Sequence, residues 1–295
     1  MVEWAPEVTV DEAFARRLIS AQFPEIRLDA LRLIGEGWDN TVWLVDEQWV
    51  FRFPRRTLAI PGVEREIRAL SSLAPRLPLP VPAPVFVGEP ADGFPWPFFG
   101  ARFLPGTEPL GLSEAQRASL ARPLGEFLRA LHASDVPDLP ADPFGRADMA
   151  IRVPGVRERF AALAAEDLWQ APSSVYALLD AAAELPVPEP TVVCHGDLHL
   201  RHLLVDDDGA AACVIDWGDL CRGDPSIDMP LVWALLPNRD DFLAAYGPVT
   251  EDQLLRARVL ALFLCAVLAL YGHHEGMPAL RDEALAGLER TSTAH

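Results

Sequence analysis

Two carboxylates frame the chemistry open to this chain. Asp197 closes the run VVCHGD and Asp216 closes AACVID, 19 positions later (216 − 197). His199 and His202 lie between them, and His195 stands just before. If the two apolar runs end side by side, the acids converge. Two converging carboxylates with a nearby imidazole suit a divalent cation or an acid/base pair. Taken singly, either Asp is a turn residue at a strand end. The whole stretch, CHGDLHLRHLLVDDDGAAACVIDWGD over residues 194–219, holds three His and six Asp. Of these, Asp206, Asp207 and Asp208 fall in the turn between HLLVD and ACVID and read as solvated turn residues.

A second pattern lies upstream. GEGWDNTV, from Gly35 to Val42, sits between strand-like runs, and backbone N–H groups in such a glycine turn can cover phosphates, although plain hairpins share the pattern. Arg52 on the next strand and Glu66 on the following helix are a cation and an anion able to pair beside it. All 25 basic residues are Arg and the chain has no lysine, which removes lysine Schiff-base chemistry and the GxxxxGK[ST] phosphate loop together. Any cation offered to a ligand is therefore Arg, His, the N-terminal amine or a metal.

The elements that must position these groups are legible from period and punctuation. Thr9 with Glu12 has capping-box spacing ahead of Phe14, Leu18 and Ile19, which predicts a short opening helix over 9–22. LRLIGEGWDNTVWLV (31–45) and QWVFRFPRR (48–56) are β-rich runs flanking turns, as in an antiparallel sheet. VEREIRALSSLAP (63–75) puts Val63, Ile67 and Leu70 on one helical face, and Pro75 ends it. Pro78, Pro80, Pro82 and Pro84 form an extended connection into VFVG (85–88). PFFGARFLPG (97–106) is a last strand-like run before the composition turns helical. Ser113 and Gln116 make another capping box, with Leu120, Leu124, Leu128 and Leu131 on one face as far as His132, and Pro123 is expected to kink or split that helix. Further helices are expected at 156–166, 173–184, 239–245 and 251–271. The boundary is placed at Gly106, giving a sheet-rich unit over 1–105 and a larger helical one over 106–295.

Bulk properties exclude several classes. The formal charge of −18 argues against nucleic acid as a partner, since that requires clustered Lys and Arg. The longest apolar run, Val259–Tyr271, is 13 residues, short of the roughly 20 a membrane span needs, and reads as a buried helix. The start MVEWAPEVTVDEAF has no basic n-region or apolar stretch, so no secretory leader and a cytoplasmic location are expected. The Cys residues lack metal-type spacing and read as small hydrophobes. Trp38, Trp43 and Trp49 read as packing for the smaller unit rather than a stacking surface. His273 and His274 read as a helix terminus, and His132 as a helix-end residue favouring the dipole. Nothing in the sequence sets an oligomeric state.

The ordered set GEGWDN, VFRFPRR, VEREIRAL, FLPG, HGDLHLRH, VIDWGD and GDPSID, spanning residues 35–228, resembles the aminoglycoside phosphotransferase family. The resemblance implies an α+β, two-lobed protein-kinase-like fold with a small antiparallel-sheet lobe and a larger, mainly helical lobe. It implies that Asp197 orients or deprotonates the acceptor hydroxyl, that Asp216 binds Mg2+, and that Glu66 pairs with the strand cation. It further implies that Gly35 and Gly37 cover the phosphates, and that the backbone of Arg102, Phe103 and Leu104 forms the hinge holding the purine of ATP or GTP. Asp228 is expected to brace the catalytic loop. His195 is expected to hold that loop too, and His199 to reach a phosphate or brace it.

Two positions depart from the family pattern. The strand cation, usually Lys, is Arg52, whose planar fork binds phosphate with different reach. The position five beyond Asp197, usually a metal-binding Asn, is His202, and magnesium prefers oxygen. Macrolide phosphotransferases look similar in both respects, and they use GTP more readily than ATP. The implied acceptor is a hydroxylated small molecule of antibiotic type, an aminoglycoside or a macrolide. Phosphorylation of a primary metabolite such as an amino alcohol or sugar, and a non-catalytic nucleotide-binding regulator, are the alternatives.

Overall fold

Alternation along the strand Trp49–Pro54 explains how the smaller unit is built. The computed structural model describes residues 6–37, 39–91 and 93–293, and these divide into two compact units. Of the described residues, unit 1 takes those up to 76, those within 80–105 and 217–220, and unit 2 takes 77–79, 106–216 and those from 221 on.

In unit 1, α1 (Glu12–Gln22) precedes β1 (Leu31–Glu36), β2 (Asn40–Val45) and β3 (Trp49–Pro54). After these come α2 (Ile60–Leu73), β4 (Pro84–Gly88) and β5 (Phe98–Arg102). The strands form one antiparallel sheet in the order β1-β2-β3-β5-β4. Phe51 and Phe53 face Leu18, Ile19 and Phe23 in the main core, together with Trp43 and Phe98. Because successive strand residues point to opposite faces, Arg52 turns the other way. On the α2 side, Val63 and Ile67 pack on Phe99 and Ala101. α1 begins at Asp11, whose carboxylate accepts the Phe14 N–H at 2.8 Å. Thr9 is therefore not its cap; Ser, Thr and Asp are all competent there, so the sequence admits a start one half-turn off. Trp43 is buried and its indole N–H donates to the Val10 carbonyl at 3.2 Å. Trp49 packs edge-on to Phe86, and Trp38 lies outside the described residues.

Unit 2 is mainly helical: α3 (Glu114–Ser119), α4 (Ala121–His132), α5 (Met149–Ala165) and α6 (Ser173–Ala183) precede four short strands. These are β6 (Val192–Cys194), β7 (Leu203–Val205), β8 (Ala211–Val214) and β9 (Cys221–Gly223). α7 (Pro230–Ala234), α8 (Asp240–Tyr246), α9 (Glu251–His274) and α10 (Pro278–Thr293) follow. The Ser113 capping box is present, and the helix splits at Leu120, three residues before Pro123, where the proline's missing N–H falls in a first turn. By length and composition α9 could cross a membrane, with mean hydropathy 2.1 in its most apolar window. However, 56% of that window is buried inside the protein, as in a core helix. α10 lies along α9 through close approaches at Gly272 and Gly287, where an added Cβ would come within 2.7 Å of the Arg281 nitrogen and 2.8 Å of Cys265 Sγ respectively. All four cysteines are free and buried.

Candidate active site

Unit 2 carries its polar cluster on two small sheets. β6 pairs with β9, Cys194 opposite Cys221, and β7 pairs with β8, Leu203 opposite Val214. The loop 195–202 joins β6 to β7, and β8 runs on through Ile215 to Asp216. After β9 the chain enters a 3-10 turn, Pro225–Asp228, in which the Asp224 carboxylate accepts the Ser226 N–H at 3.0 Å.

That turn delivers Asp228 to the start of the loop. Its Oδ2 accepts the His195 N–H at 2.7 Å and its Oδ1 the Gly196 N–H at 2.9 Å. His132 Nε2 is a third donor at 3.1 Å, and His132 Nδ1 meets the Tyr246 hydroxyl at 2.8 Å. The carboxylate is fully buried. Burial works to raise its pKa, but the hydrogen bond and charge of His132, the charge of His195 and the Gly196 N–H outweigh it, so Asp228 titrates below the ordinary range. His132 ends α4, yet its ring serves Asp228 rather than the helix dipole.

Carbonyl oxygens only accept, and this fixes the imidazole tautomers. His195 Nε2–H donates to the Ile215 carbonyl at 3.0 Å, which leaves Nδ1 to accept the Asp197 N–H at 3.2 Å. Burial pushes His195 down to about 4, with the His202 charge adding to the effect. His199 Nδ1 accepts the Arg201 N–H at 3.2 Å, so its Nε2–H is directed at Asp197 Oδ2, 3.6 Å away. Burial, then the charges of His202 and His195, hold His199 well below the usual histidine range. His202 Nδ1–H donates to the Asp197 carbonyl at 2.7 Å. The His199 and His202 rings stack at 3.8 Å.

With Nδ1–H spent on that carbonyl, the other ring nitrogen of His202, Nε2, lies 3.5 Å from Asp216 Oδ2. A proton or a cation between them would join the two atoms. Asp216 itself has φ 64°, a left-handed conformation uncommon for a residue with a side chain. Asp197, His199 and His202 bring ligand atoms within 4.8 Å of one another. His199, with Nε2 protonated and Nδ1 accepting the Arg201 N–H, has no lone pair to give, and a divalent cation fits between His202 Nε2 and the Asp216 carboxylate. For magnesium, one carboxylate and one imidazole supply few oxygens, so phosphate and water must complete the sphere. The solvent-facing groups are the acids: the Asp197 and Asp216 side chains are 33% and 48% exposed, the His202 ring only 12%.

In unit 1, Arg52 donates to Glu66 Oε2 at 3.0 Å, with Glu66 buried on α2. An added Cβ at Gly35 or Gly37 would meet no protein atom nearer than 3.5 Å or 3.9 Å. These are ordinary van der Waals distances, so packing among the described residues requires neither glycine. Of the three expected hinge residues, Arg102 stacks its guanidinium on Trp49 at 4.5 Å. The Phe103 N–H is committed to the Gln48 carbonyl at 2.8 Å, which withdraws that donor from any ligand. The segment after Asp216 is counted with unit 1, where Arg65 donates to the Gly218 carbonyl at 2.6 Å. His274 meets both Glu166 oxygens at 3.0 and 3.1 Å at the end of α9.

Sequence reasoning missed His132 and Tyr246 as members of the Asp228 network, which stands 96 positions from His132. It also passed over Arg55 and Arg56, inside a run it had singled out.

A model of the phosphotransferase enzyme family, APH, matches residues 30–264. The chain belongs to this phosphotransferase family. It is an enzyme, a phosphotransferase with an alcohol group as acceptor, and its fold is the two-lobed α+β class expected of a protein-kinase-like enzyme. Three solved structures illustrate the likeness. The GDP complex of aminoglycoside 2'-phosphotransferase-IIIa is 22% identical with a TM-score of 0.69, covering 96% of this chain and 98% of that one. The macrolide 2'-phosphotransferase MphH from Brachybacterium faecium, an apoenzyme, is 25% identical with a TM-score of 0.59, covering 92% and 97%. An ADP-bound aminoglycoside phosphotransferase is 17% identical with a TM-score of 0.57, covering 95% and 99%.

Proposed function

We propose that this phosphotransferase moves the terminal phosphate of ATP or GTP to a hydroxyl of an antibiotic-like small molecule, an aminoglycoside or a macrolide, in the cytoplasm. The observation that carries the reading is Asp197: an accessible carboxylate on a braced loop, with the His199 Nε2–H aimed at its Oδ2 and its main-chain carbonyl tied to His202. A carboxylate so oriented accepts the proton of the attacking hydroxyl, while His195 and His199, both neutral, hold rather than exchange protons.

His202 Nε2 and Asp216 Oδ2 are the atoms that would hold Mg2+, which when bound neutralises the donor's phosphates. Arg52, fixed by Glu66, supplies a second positive group, and the lack of a Cβ at Gly35 and Gly37 lets phosphate oxygens approach backbone. With the Phe103 N–H already used, the Leu104 N–H is left as the hinge donor for the purine. GDP and ADP in the similar structures are the reason for keeping both donors.

For the acceptor, one face of α9 favours a macrolide-like molecule. Phe263, Leu264, Val267, Leu270 and Tyr271 recur at helical spacing and are only partly buried. Leu264 lines a small cavity together with His199 and Leu200 of the loop, and Arg201 lies over the Tyr271 ring at 5.5 Å. An apolar face next to an arginine suits a lipophilic hydroxylated acceptor better than a polycation.

The test is a panel of macrolides, aminoglycosides, amino alcohols and sugars, each incubated with ATP or GTP and magnesium and read by the mass of one added phosphate. Macrolides are expected to gain it. Asp197→Ala is expected to lower turnover by at least about 1,000-fold while GDP or ADP still binds. Turnover retained in that variant would remove Asp197 from its role, and no transfer to any acceptor would favour the regulator.

A further inference from the structure

Arg55 and Arg56 have no part in the scheme above, yet both hold the turn that carries the two glycines. The Arg55 N–H donates to the Asp39 carbonyl at 2.7 Å, and its guanidinium donates to the Gly37 carbonyl and pairs with Glu36 Oε1, each at 2.7 Å. Arg56 donates to Asp39 Oδ1 from Nε at 3.0 Å and also from a terminal nitrogen. The two arginine side chains are 12% and 11% exposed, the acidic side chains they meet 49% and 53%. The arginines are themselves anchored: the Arg55 carbonyl accepts the Glu7 and Val8 N–H groups at 2.8 and 3.1 Å. The Glu7 carboxylate accepts the Thr57 N–H at 3.0 Å and its hydroxyl at 2.7 Å.

A turn that covers phosphates gains nothing from two exposed carboxylates. Glu36 and Asp39 flank Gly37, and a polyanion arriving there lies well inside the screening length of about 8–10 Å. Their charge opposes binding unless it is cancelled locally. We infer that Arg55 and Arg56 are positioning residues for the donor nucleotide's phosphates: they neutralise Glu36 and Asp39 and tie down the Gly37 carbonyl. The inference rests on the phosphotransfer reading above. It gives a role to cations that sit too deep to serve as general surface charge.

The experiment compares binding of GDP with guanosine, and of ADP with adenosine, for the full chain and three variants at low and high salt. Arg55→Ala is expected to weaken the diphosphates at least about tenfold at low salt, to leave the nucleosides within about twofold, and to recover part of the loss at high salt, where repulsion is screened. Arg55→Ala with Glu36→Gln is expected to regain several-fold, because the uncancelled charge is gone. Glu36→Gln alone, a change at a half-exposed carboxylate, leaves a guanidinium uncompensated and is expected to tighten the diphosphates several-fold with the nucleosides unchanged. This variant carries the test if Arg55→Ala does not fold. Equal losses for diphosphate and nucleoside would reduce Arg55 to a structural residue, and Glu36→Gln leaving diphosphate affinity unchanged or weaker would overturn the neutralisation. A native chain that binds none of the four ligands would instead defeat the phosphotransfer reading.

Discussion

At the scale of single residues, His202 carries the sharpest chemical question. Its Nδ1–H is spent on the Asp197 carbonyl and its Nε2 faces Asp216, so in the proposed scheme one ring both braces the base's backbone and serves as a metal ligand. His202→Asn replaces the imidazole with a carboxamide oxygen, a donor that magnesium prefers. The expected result is a several-fold lower magnesium concentration for half-maximal rate, measured by titrating magnesium and manganese at saturating donor. His202→Ala removes brace and ligand together and is expected to cost about 10–100-fold in metal affinity or turnover. A metal dependence that does not move in His202→Asn removes this residue from the metal site. The acids Asp197 and Asp216 were visible in the sequence because each ends an apolar run. The tautomers were not, since they depend on carbonyls of Ile215 and Asp197 that only the folded loop brings within reach.

At the scale of elements, the loop 195–202 is held by the turn Pro225–Asp228 more than by its own strands, which are three residues each. Asp228→Asn puts an amide N–H against donors that need a carboxylate. Leaving a buried donor without its acceptor costs about 1–3 kcal/mol, so the unfolding free energy is expected to fall by that order; an unchanged value would show that the His195 and Gly196 N–H groups find another acceptor. A like case ties α10 down: Glu283 accepts Arg117 at 2.8 and 2.6 Å, and it also takes Arg290. Glu283→Gln is expected to lower the unfolding free energy comparably. These anchors explain what the sequence did and did not reveal. The strands of unit 1 are β-rich runs between turns, and β3 places Phe51 and Phe53 on one face with Arg52 on the other, so composition and punctuation find them. α10 buries Leu280, Glu283, Ala284, Gly287, Leu288, Thr291 and Ser292, a helical spacing filled with small and polar groups. A hydrophobic periodicity has no signal there, and the helix went unforeseen. The His132–Asp228 pairing was hidden for a different reason, being a contact between residues far apart in the chain with no shared pattern.

At the scale of the whole molecule, pH sets two effects against each other. The net charge of −18 means that acidification first relieves self-repulsion, which favours the folded state. Buried histidines act in the opposite sense. In the unfolded chain a histidine takes up its proton near pH 6.5, whereas folded His195 resists until about 4, and His199 is displaced in the same direction. Between those values the unfolded state binds more protons, so stability rises with pH across the window and is lost as pH falls through it. For His195 alone the shift corresponds to about 3 kcal/mol. Asp228, held low, adds its own loss only once the pH drops below the ordinary carboxylate range. Unfolding free energies measured at pH 7.5, 6, 5 and 4.5 are therefore expected to decline despite the falling net charge. His195→Asn isolates the histidine term, because it removes the titrating ring while the global charge is unchanged: its decline over the same window is expected to be shallower by roughly the His195 share. Parallel declines in the two proteins would mean that His195 is not held neutral, and that the hydrogen bond from its Nε2–H to Ile215 does not set the tautomer on which the orientation of Asp197 depends.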